Sequence, residues 1–559
     1  MVTKFFTIIK KEISGLHQAA FLLGFSALGS QILALLRDHL LASSFGAGQT
    51  LDIYYAAFRI PDLVYVTIAS FVSVTVLIPF LIDKIENNQH EEAKKFLNEV
   101  FTVFCFVMVL ISIILYWLIP YLTKLTAPGF DPEAQRQLVT FTRILLFSPF
   151  FLGISNLLGS VTQSLRKFFV YALSPLFYNV GIILGVLVFY PLFGSNGLVW
   201  GVALGALLHF AIQLPIIWEH GFLPALTAKI NFKAIRQVIS ISLPRTITMA
   251  MAQMAIVVLV SLASYMKAGS IAVFNLSYNL QSVPLAIVGV SYSVAAFPTL
   301  TKMFARGNRE AFLKQMADTI RHIAFWSFFA TVMFVVLRAQ IVRVILGAGQ
   351  FNWSDTRLTA ASLAIFSLSV IGQSLSLLFV RGYYASGRTT KPLLINVFCT
   401  GIIIVLALLF TNWYHTSTWF RHTLENLLRV EGLPGTDILI LPLAFSVGLI
   451  INALAHWVTF ELDFGKLPGG VWYSVGQTLL ASVAGGVASY ELLNLLDQVF
   501  NIRTFIGIFS QGLVAGLAGL FIFVVLLKLM KNREIDEVTR ALMSKFWKAR
   551  AIAPGPEEL

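Results

Sequence analysis

Charge is what this sequence has least of. Only 12% of its 559 residues are Asp, Glu, Lys or Arg, about half the share of an ordinary soluble domain, which excludes a conventional globular enzyme. Cysteine is almost absent. Cys105 and Cys399 both fall inside apolar stretches and read as packing residues, too few for a disulfide framework or a thiolate metal site. No G-x-x-x-x-G-K-[ST] loop occurs, so nucleotide hydrolysis by this chain has no support. Clustered histidines or carboxylate pairs of a membrane-embedded enzyme are missing as well. The net charge of +13 is dispersed through short loops and the carboxyl tail, without a soluble domain to form a groove, so nucleic acid is not an expected partner. Near Ala19 the first apolar stretch lacks a small-residue cleavage site, and its helix is expected to be retained.

Apolar sequence fills the rest: 57% of residues are hydrophobic and the mean hydropathy is +0.80. The runs are generally 20 to 30 residues long, against the roughly 20 that cross a bilayer core, where only helices satisfy their own backbone. The reading is an all-α polytopic membrane protein. Fourteen transmembrane helices are expected near 19–45, 52–82, 97–122, 138–164, 169–193, 197–218, 237–266, 270–301, 316–346, 357–386, 392–412, 437–462, 471–498 and 503–530. An even number puts both termini on one side. That side collects Lys84, Lys94, Lys95, Arg166, Lys167, Lys302, Arg306, Arg309, Arg388, Lys391 and the basic tail, so the positive-inside rule makes both ends cytoplasmic.

The chain also repeats itself. Ser44-Phe45-Gly46-Ala47-Gly48, then Asp52, Phe58, Arg59 and Pro61, is echoed about 220 residues later by Ser264 to Gly269, Tyr278, Asn279 and Pro284. Pro175-Leu176-Phe177-Tyr178-Asn179-Val180 is answered by Pro392-Leu393-Leu394-Ile395-Asn396-Val397. The offset spans an even number of helices, which gives a parallel duplication: two pseudo-symmetric six-helix lobes, 1–220 and 221–465, with two extra C-terminal helices at 466–530 and a cytoplasmic basic tail at 531–559. Membrane proteins of duplicated halves place substrate between them and move it by rocking. Gly485, Gly486, Gly512, Gly516 and Gly519 in the extra helices have the small-residue spacing of close helix contact; packing and a lipid site are both open for them. The tail alternates basic residues with Ile535, Val538, Leu542, Phe546 and Trp547, which fits either an amphipathic helix on the inner leaflet or a tail ordered by its parent helix. Between Trp413 and Asp437 the longest external connection has room for a short surface helix.

An ionisable residue in a span costs roughly 2.5–3.5 kcal/mol on insertion scales, so each asks for a reason. Arg37 and Asp38 occur in span 1, Asp52 and Arg59 in span 2, Arg143 in span 4, Arg245 in span 7 and Arg381 in span 10. Adjacent positions point about 100° apart, so Arg37 and Asp38 are not expected simply to neutralise each other. Arg37, Arg59 and Arg245 are candidates to line a cavity and offer guanidinium forks to a phosphate-bearing substrate. Pairing with Asp38, Asp52 or Asp62, or snorkelling to an interface, is the alternative. Arg143 and Arg381 are expected near interfaces. His209, His322 and His456 suit either a proton relay or buried structural roles. Asn396 and Thr400, four apart in span 11, are candidate ligands for a small cation, with no carboxylate nearby; no resident metal or cofactor is expected.

Gly29-Ser30-Gln31-Ile32-Leu33-Ala34-Leu35-Leu36-Arg37-Asp38, followed by Phe45-Gly46-Ala47-Gly48, Asp52, Ala57-Phe58-Arg59-Ile60-Pro61-Asp62-Leu63 and Pro79, resembles the amino-terminal signature of the MurJ/MviN family. Ala127-Pro128-Gly129-Phe130, Thr142-Arg143-Ile144, Pro298 and the run from Arg381 to Pro392 extend the likeness over spans 1 to 11. The resemblance implies a lipid II flippase of the multidrug/oligosaccharidyl-lipid/polysaccharide exporter superfamily, with a cationic cavity between two six-helix lobes and a tail groove on spans 13 and 14. It implies a polyprenyl-diphosphate-linked glycopeptide turned from the inner to the outer leaflet of a bacterial cytoplasmic membrane for cell-wall synthesis, with membrane lipids and the cell-wall machinery as partners. Ser30, Arg37, Asp38, Asp52 and Arg59 match the family pattern. Gln31, Tyr65, Val66, Ser70 and Asn279 stand where the family carries charge, and Arg245 is a cation gained in span 7 as one is lost in span 8. Ser30, Gln31, Asp52 and Asn279 join the three arginines as candidate substrate-binding residues. A flippase for another polyprenyl-diphosphate glycan remains open, as does a cation-coupled drug antiporter of the same architecture, which would want an acidic cavity. Transport would draw on the membrane potential, about 2.3 kcal/mol per charge per 100 mV, or on a monovalent ion.

Overall fold

The computed structural model describes residues 16–547 apart from 69–76, 79, 82–83, 85–86, 88, 166 and 502–503. Among the described residues every regular element is helical. Twelve helices among the described residues are long and apolar enough to cross a bilayer, from His90–Thr126 to Phe505–Leu529. The first expected span is the helix α1, Leu16–Phe45, and the second begins as α2, Gln49–Ala57, and α3, Arg59–Ile68, before running outside the described residues.

Spans 3 to 6 are α4 (His90–Thr126), α5 and α6 (Pro132–Leu145 and Phe147–Ser164), α7 (Phe168–Leu184) and α8 (Asn196–Ala211). Spans 7 and 8 are α9 (Phe232–Ala263) and α10 with α11 (Ser270–Pro284 and Ser291–Ala305). Spans 9 to 12 are α12 (Arg309–Val336), α13 (Trp353–Ala385), α14 (Thr390–Thr416) and α15 (Ile440–Phe464). Then come α16 (Val471–Leu496), α17 (Phe505–Leu529) and α18 (Arg533–Trp547).

Prolines set the breaks. Pro61 and Pro149 lack a backbone N–H, so spans 2 and 4 restart at Arg59 and Phe147 with the proline in the first turn of the new helix. Pro284 is followed by a π-helical turn, Leu285–Val290, before span 8 continues.

The chain forms two compact units. The first takes the described residues up to Leu280 with Ile345–Phe366 and Thr389–Leu449; the second takes Gln281–Val344, Ser367–Arg388 and the chain from Ile450 onward. In the first unit, glycines bring α7 and α8 into backbone contact: a Cβ on Gly181 would stand 2.2 Å from Cα of Gly205, and one on Gly201 2.3 Å from Cα of Gly185. Cys399 is fully buried and Cys105 half-buried in their spans.

In the second unit the glycines of spans 13 and 14 are taken up by packing. A Cβ on Gly485 would reach 2.7 Å from the Gly519 carbonyl oxygen, while Gly486, Gly512 and Gly516 face Val332, Gln340 and Leu337 beside span 9. The first turn of α18 is docked as well. Asn532 caps it by accepting from the backbone N–H groups of Glu534 and Ile535. Glu534, 2% exposed, pairs with Arg321 at 3.0 Å and accepts from the Ser474 hydroxyl at 2.7 Å. Ile535 packs with Phe325, Phe523 and Leu527. Of the two readings of the tail, ordering by its parent bundle holds for this first half; the side chains of Leu542, Phe546 and Trp547 lie outside the described residues. The expected surface helix between spans 11 and 12 is Thr418–Leu428, capped by Ser417 and closed by Arg429 at φ 60°.

Candidate functional site

The candidate residues lie in the first unit, where α1, α7 and α10 share one polar chain. Arg37 wraps back on its neighbour: Nε and Nη2 reach Asp38 Oδ1 at 2.9 and 2.8 Å, and Nη1 donates to Asn179 Oδ1 at 3.2 Å. This corrects the expectation that adjacent positions would not neutralise each other, because the long guanidinium stem spans the 100° offset that short side chains cannot. Asn179 donates in turn to Ser30 Oγ at 3.3 Å, and Asn279 of α10 donates to the second oxygen of Asp38 at 3.0 Å. Ser30, Asn179, Arg37, Asp38 and Asn279 thus join the two repeats. Gln31 is half-buried beside Ser30.

Arg59 sits at the break in span 2, 8% exposed. Its Nε donates to the Tyr55 carbonyl at 3.1 Å and its Nη2 to Asn275 Oδ1 at 2.9 Å. Its hydrogen-bond partners are therefore a backbone oxygen and a neutral amide rather than the carboxylates Asp52 or Asp62. Asp62 accepts from Gln253 at 3.4 Å. Asn275 and Asn279 stand one helical turn apart, so a single face of α10 meets both spans 1 and 2. Arg245 lies in α9, but its side chain is outside the described residues, as is Ser70.

Asp52 is placed at the end of the bundle where the repeat signatures meet. Its two oxygens accept from the backbone N–H groups of Gly269 at 2.6 Å and Ala272 at 2.8 Å, closing the amino end of α10, where the helix dipole favours a carboxylate. Around it the loops interlock. The Gln350 N–H donates to the Ser43 carbonyl at 2.8 Å, the Ala47 N–H to Asp355 at 3.3 Å and the Gly129 N–H to the Ser264 hydroxyl at 3.0 Å. Gly269, at φ 97°, leaves no room for a side chain: its Cβ would fall 2.0 Å from the Ala47 carbonyl oxygen. The two loops whose sequences echo each other are therefore in contact and interlocked at this end of the first unit.

Asp131 extends this network. It caps α5 through the N–H groups of Glu133 and Ala134 and accepts from the Gln49 amide at 2.9 Å. Chiefly through the Ala134 N–H, and then the Gln49 amide, its carboxyl is held below the usual range.

Other candidates fall elsewhere. His209 meets the Ser155 hydroxyl at 2.7 Å and His322 meets Glu537 at 3.1 Å, so each has a local partner. Asn396 and Thr400 lie one turn apart in α14, and the described residues hold no group of three or more His, Cys, Asp or Glu side chains placed for a metal. Asn179, Asp355 and the Gly349-Gln350 turn were not singled out from sequence as site residues. The only signal for Asn179 was its place in the second repeated run.

A multi-pass helical membrane protein whose echoed segments meet through arginines, amides and interlocked loops has the architecture of a transporter. The family described as lipid II flippase MurJ matches residues 41–419, and the chain belongs to it. A relative from Rhizobium tropici described as a probable lipid II flippase MurJ is 27% identical over 395 residues, 69% of this chain and 74% of its own. One from Thermotoga maritima, described in the same words, is 26% identical and covers 91% of this chain and 96% of its own. A solved structure of lipid II flippase MurJ in an inward closed conformation superposes with a TM-score of 0.73 at 21% identity, covering 91% of this chain and 99% of that one.

Proposed function

We propose that this protein turns lipid II, a polyprenyl-diphosphate-linked glycopeptide, from the inner to the outer leaflet of a bacterial cytoplasmic membrane by alternating access. The observation that carries the reading is the polar chain from Ser30 through Asn179, Arg37 and Asp38 to Asn279, with Arg59 on Asn275 beside it; we read the interlocked loops around Asp52 as a closed gate. The diphosphate displaces Asp38 from the Arg37 fork, because a bidentate phosphate contact uses the same N–H pair. Arg59, held by a carbonyl and an amide with the Asp62 carboxylate nearby, offers its remaining N–H groups to the diphosphate in a medium where an uncompensated anion is very costly. Amides and hydroxyls receive the glycan while the tail stays in lipid.

Both termini lie in the cytoplasm by the distribution of Lys and Arg, which puts the closed gate outside. Rocking of the lobes 1–220 and 221–465 breaks the Asp52 clamp and opens that gate, and the membrane potential drives the outward movement of negative charge. The cell-wall synthesis machinery takes the product.

The test is complementation of bacteria depleted of their own flippase, with an assay of lipid II on the outer leaflet. Wild type restores growth and exposure and Arg37→Ala does not. Failure of well-expressed wild type would refute lipid II as the cargo. If Arg245 compensates for the uncharged Asn279, purified Arg245→Ala loses lipid II affinity while remaining folded, and unchanged binding removes that role.

A further inference from the structure

In the first unit, away from the polar chain, α4 and the α5–α6 break leave a groove of about 470 Å³, within the roughly 300–1,000 Å³ range of small-molecule sites. Its walls are apolar: Val109, Ile113 and Phe147 are exposed, Ile113 55% and Phe147 50% accessible, and Phe151 is half-buried. The opening follows from Pro149, which interrupts the hydrogen-bond ladder of span 4 just past Leu146.

One end of this groove is cationic. Arg143 lies 4.2 Å over the Tyr116 ring and donates from Nε to the Tyr116 carbonyl at 3.2 Å. A carbonyl and a π face fix the guanidinium without neutralising it, and a bond through Nε leaves both terminal nitrogens for another acceptor.

Depth identifies the occupant. The 37 residues of α4 extend about 55 Å, roughly 25 Å more than the hydrocarbon core. Tyr116, about 15 Å from the Thr126 end, therefore lies close to the interface when the helix is centred. Arg143 leans toward the amino end of α5, the same side, because helical side chains tilt that way. Trp117, 71% exposed, and Trp200, stacked on Phe147, mark the same level. From there Val109 and Phe151 descend toward the bilayer centre.

We propose that this groove is a binding site for an anionic glycerophospholipid of the leaflet next to the loop gate, its phosphodiester on Arg143 and one acyl chain between spans 3 and 4. Charge complementarity at the interface, continuous with an apolar trough, selects this ligand over a zwitterionic lipid. The site is separate from the Arg37 chain and does not depend on what is flipped.

The experiment is native mass spectrometry of the full chain with equimolar dioleoyl phosphatidylglycerol and dioleoyl phosphatidylcholine. Wild type is expected to retain the anionic lipid about fivefold better, the effect of one basic residue at a membrane surface. Arg143→Gln removes that preference, Arg143→Lys keeps most of it, and Val109→Trp, which fills the trough, lowers retention of both lipids. Equal retention by folded wild type, or an unchanged ratio in Arg143→Gln, overturns the site. Stronger retention of undecaprenyl phosphate than of phosphatidylglycerol, lost in Arg143→Gln, overturns the choice of a glycerophospholipid.

Discussion

Removing the Asp52 carboxylate should open the loop gate. Its two backbone bonds, at 2.6 and 2.8 Å, are charge-assisted, and such bonds contribute about 1.5–3 kcal/mol each. Asp52 is 3% exposed, so screening by water is small. Against this, the Gln350 to Ser43 and Gly129 to Ser264 bonds still hold the loops, and water entering the void re-satisfies the freed N–H groups. The lower half of the sum, about 3 kcal/mol, is the expected net loss for Asp52→Ala, a shift of about 100-fold toward the open gate. Asp52→Asn keeps one acceptor and should lose about half of that free energy. The assay places a cysteine at Ser270, 4% exposed at the start of α10, in a background where Cys105 and Cys399 are serine. Its reaction with a membrane-impermeant maleimide reports opening. The rate should rise steeply in Asp52→Ala, less in Asp52→Asn, and not at all in Glu92→Gln, which alters only a surface pair with Lys84. An unchanged rate in Asp52→Ala would refute the clamp.

Three further outcomes follow from the same geometry. Asp38→Asn should lower stability in detergent by about 1.5–3 kcal/mol, since it removes the carboxylate from a part-buried charge pair in which Arg37 keeps 20% exposure; adding Arg37→Gln should recover much of the loss, and additive losses would refute the pairing. Asn279→Arg brings a second cation to Asp38, so it should release the Arg37 fork and raise the affinity for a soluble diphosphate, measured by calorimetry. The Asp131 contribution carries a pH sign: its folded carboxyl titrates below the usual value of 3.8, so its support of the gate is complete above that value and disappears as pH falls through the lower folded one. Labelling at Ser270→Cys, expressed relative to a free thiol at the same pH to remove the falling thiolate fraction, should therefore rise at acid pH with Asp131 present more than in Asp131→Asn.

How far the site was legible depended on side-chain reach. Asn275 and Asn279 were readable as one helix face because four-residue spacing fixes direction. The Arg37 to Asp38 pair was not, because spacing describes where a side chain starts and a guanidinium ends several ångströms away. Asp52 entered as a substrate-binding candidate through the family resemblance; its two oxygens accept from the amino end of α10. No local pattern announces that partner, which stands about 220 positions along the chain.

By itself the sequence determined a multi-pass helical membrane protein with echoed loop segments, since run length, scarcity of charge and the echoes are properties of the chain read in order. Tertiary structure alone decided which echoed segments touch, which arginines are matched by carboxylates and which by amides, and that spans 3 and 4 part beside Arg143. These are questions of distance between residues remote in sequence, settled by packing and backbone geometry rather than by composition.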